Sequence, residues 1–253
     1  MKAFLYFLAF IYFIPSFAQT NQKDSKGKQG EWNYYYKDTI LKSKGYYKNN
    51  KRIGVWHFYY ETGEIYLEVE YLTDGITTNL KMYEPNGKKS AEGLYVNKKK
   101  EGNWYYYRDT IMIRTEPYKV GKLDGIVKSY YPSKKIFEEI SFLNNKKEGT
   151  WKQFYENGIT RAEGKFTNDT LSGKVTYYHP NGKKNLEGIY VKGLRNGTFY
   201  LYDESGKLIE TLRYKKGRLY DEDEKRTRKK NEIKEYLPED IIYKGGFEGL
   251  KPD

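Results

Sequence analysis

Residues 173–197 read GKVTYYHPNGKKNLEGIYVKGLRNG, one period of a pattern that runs through most of the chain. The period opens on Gly173, places Val175 two residues on, Tyr178 three beyond that and Tyr190 twelve further, and returns to glycine at Gly197. Pro180-Asn181-Gly182, a turn signal of the kind that closes a hairpin, divides it into two segments. Each segment is about six to eight residues long and rich in aromatic and β-branched side chains, which favours a strand over a helix. One period is therefore strand, tight turn, strand, and a short connection into the next copy.

Moving outward, the same opening recurs as Gly30-x-Trp32, Gly54-x-Trp56, Gly102-x-Trp104, Gly125-x-Val127, Gly149-x-Trp151 and Gly197-x-Phe199. Successive glycines lie 24, 48, 23, 24, 24 and 24 residues apart, and the doubled gap hides a degenerate copy with Thr78 for glycine and Leu80 for tryptophan. Every copy keeps a second aromatic (Tyr35, Tyr59, Tyr83, Tyr107, Tyr130, Phe154, Tyr178, Tyr202) and a third (Tyr47, Tyr71, Tyr95, Tyr118, Phe142, Phe166, Tyr190, Tyr214). A lone hairpin is marginal in water, whereas sixteen strands side by side bury aromatic faces against neighbouring copies. The expected fold is all-β, a single elongated, twisted antiparallel sheet of about eight 24-residue hairpin repeats over residues 19–218. Gly45, Gly93, Gly164 and Gly188, each two residues before a third aromatic, leave room for a ring from the adjacent strand to lie across bare backbone.

Composition agrees with a thin aromatic sheet. Aromatic residues make up 18% and charged residues 32% of the 253, and the mean hydropathy of −0.94 excludes a thick aliphatic core. The apolar run Ala3–Ile14, broken by Pro15 and followed by Ser16-Phe17-Ala18, reads as a signal peptide over residues 1–18, cleaved to leave Gln19 first. It is shorter than the ~20 residues that span a bilayer. The expectation is an exported protein, periplasmic or secreted. With no cysteine anywhere, its stability rests on packing and hydrogen bonds. After residue 218 the period ends. Asp221–Glu224 followed by Lys225, Arg226, Arg228, Lys229 and Lys230 reads as a charged helix stopped by Pro238, a possible cap on the last strand, or as a charged tail.

The elements Gly-x-Trp-x-x-Tyr, Asn-Gly-Lys, Glu-Gly-x-Tyr and Asn-Lys-Lys-x-x-Gly, repeated in register over residues 27–218, resemble MORN-type variant repeats, found in bacterial proteins often labelled antitoxin-like. The resemblance implies a repeat scaffold and names no ligand. Departures fall at Thr78, Thr110-Ile111 and Lys134, where the usual glycine is missing and irregular turns are expected.

Little in the chain resembles catalytic equipment. His57 and His179 occupy different repeat positions, so no histidine-centred triad or zinc site is expected, nor any cofactor. Glu68, Glu92, Glu139, Glu163 and Glu187 recur three residues before the third aromatic. A residue at fixed register marks a scaffold row balanced by lysines across the strands rather than a glycosidase pair. Charge is the one distinctive signal. Connections between repeats carry fifteen Lys/Arg against five Asp/Glu, and hairpin turns ten against eight. Lys51, Arg52, Lys98, Lys99, Lys100, Lys122, Lys146, Lys147, Lys192, Arg195, Lys215, Lys216 and Arg218 would form a broken basic rail along one edge, with connections ~9.6 Å apart. Such a rail suits anionic lipid headgroups or acidic polysaccharide. Nucleic acid is a poor partner for an exported protein, and strands studded with lysine and glutamate do not fit a transmembrane barrel. A second surface is possible in the aromatics themselves, since Trp56 and Tyr59 are an odd number apart and rings must show on both faces. The reading overall is a non-enzymatic exported scaffold for a protein or cell-envelope partner, the alternative being a module for anionic lipid or polysaccharide.

Overall fold

The computed structural model describes residues 20–37 and 39–219. The signal segment and the charged C-terminal stretch expected from sequence lie outside the described residues. Alternation of apolar and polar residues between turn signals produces nineteen strands. In order they are β1 Gln22–Asp24, β2 Gly27–Tyr36, β3 Ile40–Lys48, β4 Lys51–Tyr59, β5 Ile65–Tyr71, β6 Thr77–Tyr83, β7 Lys89–Val96, β8 Lys99–Arg108, β9 Ile111–Lys119, β10 Lys122–Leu123, β11 Gly125–Tyr130, β12 Ile136–Leu143, β13 Lys146–Phe154, β14 Thr160–Thr167, β15 Thr170–Tyr178, β16 Lys184–Val191, β17 Leu194–Tyr202, β18 Leu208–Lys215 and β19 Arg218–Leu219. Neighbours in sequence pair antiparallel throughout, with β10 and β11 both following on β9, so the molecule is one open meander. Eight hairpins make up the array, flanked by the two short strands β1 and β19.

Each repeat glycine faces its own third aromatic across the hairpin, as in Gly54↔Tyr71 and Gly197↔Tyr214. Between hairpins it sits in a bulge. Lys44 pairs with His57 and Tyr46 with Ile53, so Gly45 alone opposes Gly54, Val55 and Trp56. Gly54 (φ 60°) takes the left-handed conformation that such a bulge demands. The ring of Trp56 lies flat on Gly45: a Cβ there would sit 2.3 Å from it. Gly93 under Trp104 and Gly188 under Phe199 leave 2.4 Å each, and Gly164 under the smaller Val175 leaves 3.0 Å. The expected ring-on-glycine packing is present, and it joins one repeat to the next.

The junction between the second copy and the degenerate third shows what the glycines do by lacking both of them. Val69 and Thr78 stand at the two positions, and β5–β6 run in unbroken register from Leu67↔Met82 to Tyr71↔Thr78. Thr78 therefore marks a straight ladder, not the irregularity expected. Lys134 (φ 66°) takes over the left-handed position in an ordinary hairpin turn, its N–H bonding Tyr131 O as Gly158 N–H bonds Tyr155 O. Asp109-Thr110, both left-handed, closes a two-residue turn. That turn is regular, one residue economy accounting for the 23-residue repeat.

Two-residue turns also join the repeats. Asn49-Asn50, Asn97-Lys98, Val120-Gly121, Asn144-Asn145, Asn168-Asp169, Lys192-Gly193 and Lys216-Gly217 all place two residues at positive φ, the type I′ geometry that matches strand twist. Only residues 72–76 form a longer connection.

Candidate interaction surface

One face of the sheet carries the tryptophans. Trp56 and Phe199 are 0% exposed and Trp104 1%, although the described residues supply no second layer. A face of a single sheet is buried only where something covers it. The cover comes from the residue two before each repeat glycine. Lys28 Nζ lies 4.4 Å from the Trp32 ring centre, Arg52 Cζ 4.5 Å from that of Trp56 and Lys100 Nζ 4.2 Å from that of Trp104. Lys147 lies over Phe166 and Arg195 over Tyr214 in the same way. Their stems shield the rings while the charge rests on the π face. Phenols hold the heads in place: Lys28 donates to Tyr34 (2.7 Å), Lys100 to Tyr106 (2.8 Å), and Arg52 to Tyr71 (2.9 Å) and Tyr47 (3.4 Å).

This changes the basic rail. Arg52, Lys100, Lys147 and Arg195 belong to the tryptophan face, because each lies four residues, an even number, before the ring that follows its repeat glycine (Trp56, Trp104, Trp151 and Phe199). That parity was present in the sequence and is the signal that identifies them. Lys51, Lys98, Lys99, Lys122, Lys146, Lys192, Lys215, Lys216 and Arg218 remain exposed along the connection edge. Among the described residues none of these nine makes a salt bridge. Lys98, Lys192 and Lys216 also fill left-handed turn positions. Glu101 and Glu148 share this edge, each accepting a backbone N–H from the next connection (Val120, 2.7 Å; Asn168, 2.8 Å).

The opposite face is crossed by a row of directly paired residues, among them Lys44–His57–Glu68–Lys81–Glu92 and Lys128–Glu139–Lys152–Glu163. Here the lysines are matched by glutamates as expected: Lys81–Glu68 2.7 Å, Lys128–Glu139 3.0 Å, Lys174–Glu187 2.9 Å. The second aromatics stand beside the row. Tyr178 donates to Glu163 (2.6 Å), Tyr202 to Glu187 (3.0 Å) and Tyr107 to Glu92. Burial pushes the Glu187 carboxyl up, but hydrogen bonds from Lys184, Lys174 and Tyr202 bring it down to about 2. Burial and the Glu163 carboxylate push the Tyr178 phenol up to about 12. Rings do show on both faces, and Tyr35 is 48% exposed.

Two features escaped sequence reasoning. A tyrosine follows the second aromatic in several copies, and its hydroxyl donates to the carbonyl of the next repeat's second aromatic: Tyr36→Tyr59, Tyr60→Tyr83, Tyr131→Phe154 and Tyr155→Tyr178. His179 takes this place in the seventh repeat, with Nε2 2.9 Å from Tyr202 O, so it serves the ladder. The recurrence of paired aromatics was the available signal. The second feature is Glu116, at the position where Gly45 and Gly188 stand elsewhere. It bonds Arg114 (2.7 Å) and Tyr118 (2.8 Å) on the tryptophan face. Burial opposes its ionisation, yet the Arg114 guanidinium and these hydrogen bonds hold its carboxyl below the ordinary value. Among the described residues no cluster of His, Cys, Asp or Glu has the makings of a metal site.

Eight hairpins in one register, each leaning on the next, define a tandem-repeat scaffold for binding interactions. Residues 123–144, 147–168, 171–192 and 195–216 match the family model described as MORN repeat variant. These four tandem units are MORN repeats. Each matched unit begins two residues before a repeat glycine, the register that all eight hairpins share. No curated protein matches the chain.

Proposed function

We propose that the protein is a non-enzymatic, exported scaffold that presents its long sheet to a protein or another cell-envelope component. The observation that carries this reading is the continuity of the meander. Sixteen long strands at the ordinary spacing extend over roughly 70 Å, and one face presents a row of matched charges beside half-buried tyrosines. Such a surface is extended and continuous, which suits recognition of an extended partner. The test is sedimentation of the purified protein with isolated cell envelopes, before and after the envelopes are treated with protease. Binding that survives high salt and is lost with envelope protein supports the scaffold; no binding to envelopes overturns it. Export is tested by sequencing the N-terminus of the protein from cell fractions. A chain beginning at Gln19 outside the cytoplasm is expected, and an intact residue 1–18 segment retained in the cytoplasm counts against it.

A second reading is favoured by the nine exposed cations of the connection edge, none of which forms a salt bridge among the described residues as the lysines of the opposite face do. An anionic surface or acidic polysaccharide meeting this edge would be held by salt-sensitive contacts. Changing Lys98, Lys99, Lys215 and Lys216 to glutamine is then expected to abolish sedimentation with anionic liposomes or acidic polysaccharide at low salt. Binding unaffected by these changes and by salt would rule it out.

A further inference from the structure

We infer that repeats one and two form an oxyanion site on the tryptophan face, built on Lys28 and Arg52, that takes a tetrahedral dianion of the phosphate or sulfate class. Cations stand two residues before the repeat glycine in several copies, but only here do consecutive repeats both carry one: Ile76 follows Arg52, and Leu123 and Leu171 flank Lys147. The two charges share one phenol. Lys28 Nζ lies 5.0 Å from the ring centre of Tyr47, and Arg52 Nε 3.4 Å from its hydroxyl. They therefore sit within about one Debye length of each other, close enough to repel. Among the described residues neither is within salt-bridge distance of a carboxylate, whereas Lys100, the corresponding residue two repeats on, has Glu116 nearby.

Donors remain after the internal bonds are counted. Arg52 spends one N–H on Tyr47 and one on Tyr71, leaving three of its five; Lys28 spends one of three on Tyr34. Tyr34 and Tyr47 hydroxyls lie 3.3 Å apart, so at least one phenolic proton is free to turn outward. The rings of Trp32 and Trp56 form the floor and hold both cations in place. Arg52 is exposed and Lys28 half-exposed, so their outer sides are open to solvent. A dianion set between a guanidinium fork and an ammonium cancels two like charges at once and accepts from donors that are not coplanar. A planar monocarboxylate would leave one positive charge unmatched.

The test is calorimetric titration of the purified full chain with sodium phosphate and sodium sulfate, against sodium chloride at matched ionic strength. One site per chain is expected for both dianions, with a rise in unfolding midpoint at saturating ligand. Lys28→Gln is expected to weaken binding at least fivefold and the pair Lys28→Gln/Arg52→Gln to abolish it. Lys215→Gln/Lys216→Gln, on the connection edge, should leave it unchanged, which separates this site from the edge reading above. Should the Arg52 variant unfold, Lys28→Gln alone carries the test, since that side chain lies at the surface. Heats equal to those of chloride, several weak sites sensitive to Lys215 and Lys216, or binding indifferent to Lys28→Gln would overturn the assignment.

Discussion

A methyl group decides the contact between repeats. The Trp56 ring occupies the place of a Gly45 side chain, so Gly45→Ala drives a Cβ into a rigid, buried indole; an overpacking cost of about 1–3 kcal/mol is expected. Gly188→Ala meets Phe199 in the same way. Gly54→Ala meets nothing within 4 Å, and its cost, roughly 1–2 kcal/mol, comes from the left-handed backbone alone. Urea unfolding gives the magnitudes, and tryptophan emission separates the causes: Gly45→Ala shifts the native spectrum by displacing the indole and Gly54→Ala does not. Titration at Glu187 makes a second prediction. Its folded carboxyl, at about 2, lies below the ordinary 4.5 of the free group, so the ionised form stabilises the fold. That contribution is whole above pH 4.5 and fades as the pH falls towards 2. Unfolding midpoints measured from pH 6 to pH 2 should fall less steeply in Glu187→Gln than in the parent; parallel curves would show that the Lys174 and Lys184 pairs contribute nothing.

Between neighbouring hairpins the hydroxyl-to-carbonyl ladder is the recurring bond that a single atom can test. Tyr155→Phe removes the donor to Tyr178 O and leaves a half-buried carbonyl unpaired, a loss of about 1–2 kcal/mol. His179→Tyr keeps a donor at the corresponding place and should cost less than His179→Leu, as thermal unfolding of the three variants would show. Thr78→Gly is expected to destabilise, by about 1 kcal/mol, because β5–β6 has no bulge for the glycine to serve. A gain in stability would mean that the bulge, rather than the straight ladder, is the preferred junction. These elements also show what the sequence made legible. Hairpin number, strand type and ring-on-glycine junctions follow from a 24-residue period read against a two-residue alternation. The shape of the junction does not, because a bulge is a property of two paired strands and Gly54 acquires its strain only opposite Gly45. Counting charges by connection likewise merged Lys51 with Arg52, although adjacent residues on a strand point to opposite faces. Four of the thirteen candidate residues, Arg52, Lys100, Lys147 and Arg195, thus lie on the tryptophan face for reasons of parity.

In an array where each repeat touches only its neighbours, a weak junction in the middle divides the molecule. One core cluster runs from Trp32 to Leu80 and another from Ile140 to Leu219. Between them the junction after the fourth repeat replaces the ring-on-glycine contact by Glu116, its Arg114 partner and Val127. The C-terminal cluster holds Ala162, Val175, Leu186, Phe199 and Leu201 at 0% exposure, where the N-terminal cluster has Trp56 alone at that value. The two halves should therefore open separately. Amide exchange over residues 30–83 is expected to lose protection at lower urea than over residues 140–214, with the boundary near Glu116. A single cooperative loss of all amides would mean that coupling passes the polar junction undiminished. The double change Arg114→Leu/Glu116→Ile tests the cause, since it removes both charges together and installs an apolar residue of the kind found at the same position as Ile140 and Leu212. Replacing a paired, partly buried ion pair by well-packed apolar groups is commonly neutral or stabilising. The variant should narrow the interval between the two transitions, whereas Glu116→Ile alone strands the Arg114 charge and should widen it.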